Sequence, residues 1–255
     1  MLNFEQRLID RLRAAQRIVV LTGAGTSSES GIPTFRDVLT GLWENFDAQQ
    51  LATPQAFDAD PEMVWGWYEW RRGLVMQCLP NSAHQAIAAM QDLVPDLSVV
   101  TQNVDDLHER AGSRDVVHLH GSLHEPRCRD CAAPYVFPAA APDEPGGGRR
   151  LPPPVCTECG GMVRPGVVWF GESLPVDNWL RAQELASGCD VLFSVGTSSL
   201  VYPAANLPHI ARAENACVVQ INPQATGLET VVDYDLQGKA GHVLPALVQA
   251  VWADT

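Results

Sequence analysis

An α/β architecture is what this sequence predicts: a doubly wound parallel sheet interrupted by two smaller inserts. Three observations predict it. Short apolar, β-branched runs at 18–21, 97–101, 116–119, 191–195 and 218–221 alternate with helical segments, the pattern of buried parallel strands joined by crossovers. The first run passes directly into Gly23-Ala24-Gly25 and then Thr26, Ser27 and Ser28. There the backbone can turn tightly, and a helix N-terminus can offer N–H groups to a phosphate. Finally, Cys128-x-x-Cys131 and Cys156-x-x-Cys159 are two thiol pairs about two dozen residues apart, a spacing that suits a metal-holding insert. The expected fold is therefore Rossmann-like, with a smaller zinc-ribbon plus helical module.

The 255 residues suffice for one catalytic-size domain carrying inserts. Its core should occupy about 1–31, 83–124 and 166–255, with a helical module over about 32–82 and a zinc-binding module over about 125–165. Met1 to Arg17 reads as an amphipathic helix with Leu2, Phe4, Leu8, Ile9 and Leu12 on its apolar side. It is neither a secretory signal nor a transit peptide, and no run is long and apolar enough to cross a membrane. A cytoplasmic location is the expectation. A net charge of −13 argues against a general nucleic-acid binder and is compatible with basic peptide partners.

After Ile18 to Leu21, the segment 32–82 leaves the strand–helix alternation. It is rich in aromatics (Trp43, Phe46, Phe57, Trp65, Trp67, Tyr68, Trp70), with Pro54 and Pro61 as helix-start signals. His84 to Leu93 resumes an amphipathic helix before the strand Leu97–Thr101. Val116 to Leu119 is the next strand, ending at His120-Gly121. Residues 125–165 interrupt the pattern again, and Pro138 to Pro154 reads as a mobile loop. Strand-like runs recur at Val167–Phe170, Val191–Val195 and Val218–Ile221, with a crossover helix over Pro203–Glu214. In a doubly wound sheet, polar binding residues gather at the strand C-terminal ends. Gly23, Gln102, His120, Gly196 and Asn222 all fall there.

Four thiolates in two knuckles suit tetrahedral zinc with no open position, hence a structural ion. Seven cysteines without a signal sequence do not suggest a disulfide framework. Cys78, Cys189 and Cys217 read as ordinary core or surface thiols.

The stretch 22–36 does not match the dehydrogenase fingerprint, because Ser28 stands where a third glycine belongs. It continues instead through Glu29-Ser-Gly-Ile-Pro33-Thr-Phe35-Arg36. This string resembles the cofactor loop of sirtuins, NAD-dependent protein-lysine deacylases, and further motifs follow in that family's order. Gln102-Asn103-Val104-Asp105 resembles the second signature, and His118-Leu-His120-Gly121 the third. Alternation puts His118 and His120 on one face, so spacing cannot choose between them; the resemblance assigns the base to His120. Val167-Val168-Trp169-Phe170-Gly171-Glu172 resembles the substrate segment, where an acyl-lysine peptide adds as an extra strand. Gly196-Thr197-Ser198, Asn222-Pro223-Gln224 and Ala240 resemble the adenosine-side contacts.

The resemblance thus implies NAD binding at Gly23, Ala24, Gly25, Thr26, Glu29, Pro33, Phe35, Arg36, Gln102–Asp105 and the adenosine-side positions. It implies catalytic roles for His120, Asn103 and Asp105, and substrate contacts from Val168 to Gly171. The implied reaction consumes NAD: the acyl oxygen attacks the nicotinamide-bearing ribose carbon, nicotinamide leaves, and the acyl group passes to ADP-ribose. Tyr68 and Arg71, three apart and so on one helix face, resemble the class III pair that binds acidic acyl groups such as succinyl or malonyl. A guanidinium can grip a carboxylate bidentately while a phenol adds one hydrogen bond. Acetyl removal is expected to persist. Other readings of the same residues are an NAD or ADP-ribose sensor, an ADP-ribosyltransferase, and a zinc-containing oxidoreductase. The last lacks the acidic residue expected after a second strand.

Overall fold

The computed structural model describes residues 2–34, 47–138 and 148–253. Phe35 and Arg36, Trp43 and Phe46, and residues 139–147 of the Pro/Gly-rich stretch lie outside them.

The strands are β1 (Arg17–Thr22), β2 (Asp96–Thr101), β3 (Val116–His118), β4 (Arg127–Cys128), β5 (Val163–Arg164), β6 (Val191–Val195), β7 (Cys217–Asn222) and β8 (Tyr234–Gln237). Six of them form a parallel sheet in the order β3-β2-β1-β6-β7-β8. β1 is buried at every position after Arg17. It lacks the alternation of a one-sided strand because helices cover both faces. One face packs α1 (Gln6–Ala14), α6 (Ser82–Leu93) and α10 (Ala240–Trp252) around Val20, Val99, Phe193 and Val219. The other packs α8 (Val176–Gly188) and α9 (Leu207–Ala213) around Val19, Leu21, Leu192 and Val218. The short helices α2 (Ala24–Ser28) and α7 (Leu107–Arg110) follow β1 and β2.

Sheet order reverses at β1, whose neighbours are β2 and β6, so a crevice opens beyond their C-terminal ends. Thr22 pairs with Thr101 and Val195, which brings the segments after all three strands together.

The helical insert contains α3 (Ala48–Leu51), α4 (Pro54–Ala59) and α5 (Pro61–Gln77). Local chemistry starts them where the prolines suggest: Thr53 accepts from Ala56 N–H at 3.1 Å and Asp60 from Met63 N–H at 3.1 Å, each before a proline at the first helical position. α5 is buried on most of its circumference, including Glu69, Arg71 and Arg72. The Glu69–Arg72 ion pair, at 2.8 Å, satisfies two of those charges. A second apolar core joins this insert to the main domain: Phe57, Val64, Trp67 and Tyr68 pack with Leu123, Val167 and Trp169.

β4 and β5 pair antiparallel in the cysteine-bearing insert. Arg129 to Asp58 and the two-pronged Arg150 to Asp60 ion pair tie this insert to the helical one.

One expectation is corrected. Val167–Phe170 is not a strand of the main sheet; it makes a single antiparallel bridge, Val167 to Gly121. Pro165 has no N–H to contribute, Gly166 packs against the Glu125 carbonyl, and Gly171 turns away at φ +89°. Val168 N–H instead donates to His120 O at 2.8 Å, and Phe170 N–H to Ala52 O at 2.9 Å. The segment therefore spans from the sheet to the helical insert. β8, α8 and α10 go beyond what the sequence reading assigned.

Candidate active-site cleft and cysteine cluster

A cleft of about 510 Å³ lies between the C-terminal ends of β1, β2 and β6 and the helical insert. Its floor is made by glycines. Gly25 N–H donates to Gly196 O at 2.8 Å, and a Cβ on Gly25 would sit 2.7 Å from that oxygen. Gly196 has φ +59°, in the left-handed region that suits glycine. The Gly-x-Gly pattern therefore serves backbone-to-backbone approach between two strand ends as well as access to the cleft. Thr26 lies behind this wall, fully buried, with its hydroxyl donating to Val195 O at 3.2 Å.

At the inner end, Asn103 Nδ2 donates to Ser27 Oγ at 2.9 Å, and Asn103 N–H to Thr101 Oγ1 at 3.0 Å. Asp105 is buried beside it and accepts from Leu107 N–H at 3.2 Å. Burial raises the Asp105 carboxyl above its ordinary value, against the opposing bonds from Ser27 and Leu107. Gln102 Nε2 donates to Thr197 Oγ1 at 3.0 Å, linking the β2 and β6 turns.

The two histidines separate in space. His118 Nε2 lies 2.7 Å from Glu109 Oε1 and Nδ1 lies 3.2 Å from Asn103 O, so both ring nitrogens are engaged. Burial lowers its pKa, but the Glu109 carboxylate overcomes this and leaves it raised. His120 instead lines the cleft. Its Nδ1 lies 2.9 Å from Gln102 O; a carbonyl only accepts, so Nδ1 carries the proton and Nε2 keeps its basic lone pair. Burial holds His120 below the ordinary histidine value, which keeps the ring neutral.

Tyr68 and Arg71 line the opposite wall, at 3 % and 6 % exposure. Arg71 Nη2 reaches Pro33 O at 3.5 Å, and its guanidinium sits 5.2 Å from the Trp67 ring centre. Burial raises the Tyr68 phenol well above its ordinary value, so it remains protonated. Trp169 Nε1 donates to its oxygen at 3.1 Å. Phe170 and Gly171 stand exposed at the rim.

The cleft also gathers Gly23, Ala24, Pro33, Val104, Val168, Ser198, Asn222 and Gln224. Glu29, Pro223 and Ala240 face a smaller adjoining space of about 170 Å³ that shares Gly25 and Gly196. Glu29 Oε1 also accepts from Gly241 N–H at 3.0 Å, fastening α10 to the turn. Residues not singled out as site positions include Gln49, Glu172 and Tyr202, which line the cleft as well. Glu172 ends the 167–172 string; Gln49 and Tyr202 carry no local signal, since only the fold brings them there.

In the cysteine cluster, all four Sγ atoms lie within 4.8 Å of one another. Cys128–Cys159 and Cys131–Cys156 separations are 3.4 and 3.7 Å, close to the ~3.8 Å edge of a tetrahedron with Zn–S bonds of about 2.3 Å. Asp130 N–H and Gly161 N–H each point to a sulfur at 3.4 Å. Backbone N–H groups of Cys131 and Asp130 draw the Cys128 thiol below its ordinary value. The donor set and its spacing fit one structural zinc, closed to substrate.

The sequence profile described as the Sir2 family matches residues 23–203. The NAD-dependent protein deacylase of Methylococcus capsulatus is 57% identical over 250 residues, 98% of each chain. A solved structure described as a Sir2 homologue–NAD complex is 46% identical with a TM-score of 0.90, covering 98% of this chain and 94% of that one. A Sir2–p53 peptide–NAD+ structure is 28% identical with a TM-score of 0.83, covering 97% and 98%. This chain belongs to the Sir2 family.

Proposed function

We propose that this protein is an NAD-dependent protein-lysine deacylase acting on acidic acyl groups, succinyl and malonyl, and also on acetyl. The observation that carries the acyl assignment is the convergence of two groups on one cleft. His120 presents an unencumbered Nε2 from the sheet side, while Tyr68 and Arg71 present a phenol and a guanidinium from the helical side. A lysine acyl chain entering between them would meet a base and a carboxylate receptor in sequence.

NAD supplies an electrophilic ribose carbon and a leaving group, nicotinamide; the products are nicotinamide, O-acyl-ADP-ribose and free lysine. The Gly23–Gly25 turn, Ser198, Asn222, Gln224 and the smaller space beside Glu29, Pro223 and Ala240 hold the dinucleotide. Asn103 and Asp105 hold the nicotinamide end, with Asn103 oriented by Ser27. His120 takes the proton of a ribose hydroxyl at Nε2, the Gln102 carbonyl stabilising the imidazolium through Nδ1–H. Phe35 and Arg36 complete the family's loop but lie outside the described residues. Val168 to Gly171 receive the peptide backbone, supported by the exposure of Phe170 and Gly171 at the rim. Partners are acyl-lysine proteins, with neither nucleic acid nor membrane assigned, and the working place is cytoplasmic; among the described residues no helix is long and apolar enough to cross a membrane.

The test is NAD-dependent acyl release from matched succinyl- and acetyl-lysine peptides by wild type and Arg71→Met. The expected result is a succinyl preference that falls about 100-fold in the variant, the order of one charge-assisted bidentate contact, with acetyl turnover retained. Equal handling of both peptides by both enzymes would remove the carboxylate pocket and leave a general deacylase. No turnover of either by wild type would favour the sensor or ADP-ribosyltransferase reading.

A further inference from the structure

Trp169 is 2 % exposed, yet its polar atom is satisfied: Nε1 donates to the Tyr68 hydroxyl at 3.1 Å. The indole is held from several sides. The Arg164 guanidinium lies 3.5 Å from its ring centre, and Phe57 packs at 5.3 Å between centroids. Glu172 accepts from Trp169 backbone N–H at 2.8 Å and binds Arg164 through both carboxylate oxygens, at 2.5 and 2.9 Å. Arg164 in turn donates to Val167 O at 3.0 Å. Such a brace leaves the indole little freedom to turn its N–H elsewhere.

Direction matters in this bond. An indole nitrogen only donates, so Tyr68 Oη must accept, and the phenol proton points away from Trp169. A carboxylate only accepts. We propose that Trp169 is a positioning residue for acyl selectivity: by filling an acceptor site of Tyr68, it commits the Tyr68 O–H to donate into the cleft, beside Arg71, toward an acidic acyl group. The donated bond also polarises the phenol and strengthens that O–H as a donor. An acetyl group presents a methyl at this depth and gains nothing from the commitment. The inference rests on the carboxylate-pocket reading above and names a residue that acts through Tyr68 without touching the carboxylate.

The experiment compares the succinyl-to-acetyl ratio of kcat/KM in wild type, Trp169→Phe, Tyr68→Phe and the double variant, with Arg71→Met alongside. One neutral hydrogen bond corresponds to about 2- to 10-fold. Trp169→Phe is therefore expected to lower the ratio about 5-fold, mainly through KM for the succinyl peptide. In the Tyr68→Phe background the same change is expected to leave the ratio where it is, because no hydroxyl remains to orient. A ratio unchanged by Trp169→Phe, or lowered equally in both backgrounds, would overturn the inference. A ratio that also ignores Arg71→Met would overturn the carboxylate pocket itself, and the inference with it. Thermal unfolding of each variant checks folding. If the smaller ring destabilises the insert, benzothienylalanine at position 169 keeps the ring shape and removes only the N–H, with the same expected fall in the ratio.

Discussion

Two buried histidines beneath the cleft should make this fold acid-sensitive well above the carboxylate range. His84 and His108 are 0 % and 1 % exposed, with ring centres 4.8 Å apart. His84 Nδ1 accepts the Asn81 N–H at the start of α6, and His108 Nε2 pairs with Thr22 Oγ1 at 3.0 Å. Burial pushes His84 down to about 4 and His108 down to about 3, the latter helped by the nearby His84 and His118 charges. Their unfolded values lie at 6.5. Folded pKa values below unfolded ones mean that stability is whole above about pH 6.5 and is lost as pH falls toward the folded values. Each group loses about 1.4 kcal/mol per pH unit in that window. Between pH 6.5 and 5 the pair therefore removes about 3 kcal/mol, the slope being half its full value at pH 6.5, against a typical 5–15 kcal/mol. His120 adds in the same direction and His118 opposes it. The assay isolates one group: urea unfolding followed by tryptophan fluorescence, at pH 7, 6 and 5 with zinc saturating, for wild type and His108→Gln. The glutamine amide can still donate to Thr22 but cannot become charged. Its stability should fall between pH 6.5 and 5 by about 2 kcal/mol less than that of wild type. Parallel pH dependences for the two proteins would refute the buried-neutral account.

Two further outcomes follow from the cleft and the cysteine cluster. His120→Ala should reduce deacylation about 1,000-fold while NAD still binds by calorimetry, general-base contributions being on the order of 10²–10⁴. In wild type, kcat/KM should fall on the acid side with an apparent pKa below 6.5, because burial depresses His120; retained turnover in the variant would remove His120 from the chemistry. Cys128→Ser should lose zinc and release the β4–β5 pairing, seen as a lower unfolding midpoint and faster proteolysis near residues 127–164. Structural zinc contributes on the order of 10 kcal/mol in small domains. Wild-type stability without bound zinc would sink the structural assignment.

Much of the sheet was legible because its signal is local. β1, β2, β6 and β7 are mostly apolar, almost wholly buried runs, broken inside by no more than Ser98, Ser194 and Gln220, and Pro54 and Pro61 mark helix starts that Thr53 and Asp60 cap. Val167–Phe170 has the same apolar composition, yet it bridges two modules because its flanking Pro165, Gly166 and Gly171 prevent a ladder. Composition alone cannot register that. β8 escaped because Tyr234–Gln237 alternates half-buried and exposed residues, as expected of an edge strand. Among the site residues, the choice between His118 and His120 had no answer in spacing. Their partners tell the two apart, Glu109 for one and the Gln102 carbonyl for the other, and support the base proposed at His120. Those partners arrive from α7 and the end of β2, which periodicity does not position.

The groups proposed for chemistry and for acyl choice stand on two supports. His120 follows β3 and takes its tautomer from Gln102 at the end of β2, within the sheet. Tyr68 and Arg71 ride on α5, in the helical insert, whose apolar side chains pack with Leu107, Leu123, Val167 and Trp169 of the main domain. Substitutions at apolar positions of α5 itself, such as Val64 and Trp67, can move the phenol and guanidinium without disturbing the strand register that places the histidine. The 167–172 segment is where the two supports meet: Val168 bonds His120 O, while Trp169 bonds Tyr68. A peptide laid along this segment would therefore touch both supports at once, coupling correct seating of the backbone to alignment of base and acyl receptor. That coupling makes a distinct demand on mutants. Changes within α5 should alter which acyl group is removed, whereas loosening Arg164 and Glu172, which brace the shared segment, should depress turnover of every acyl peptide together.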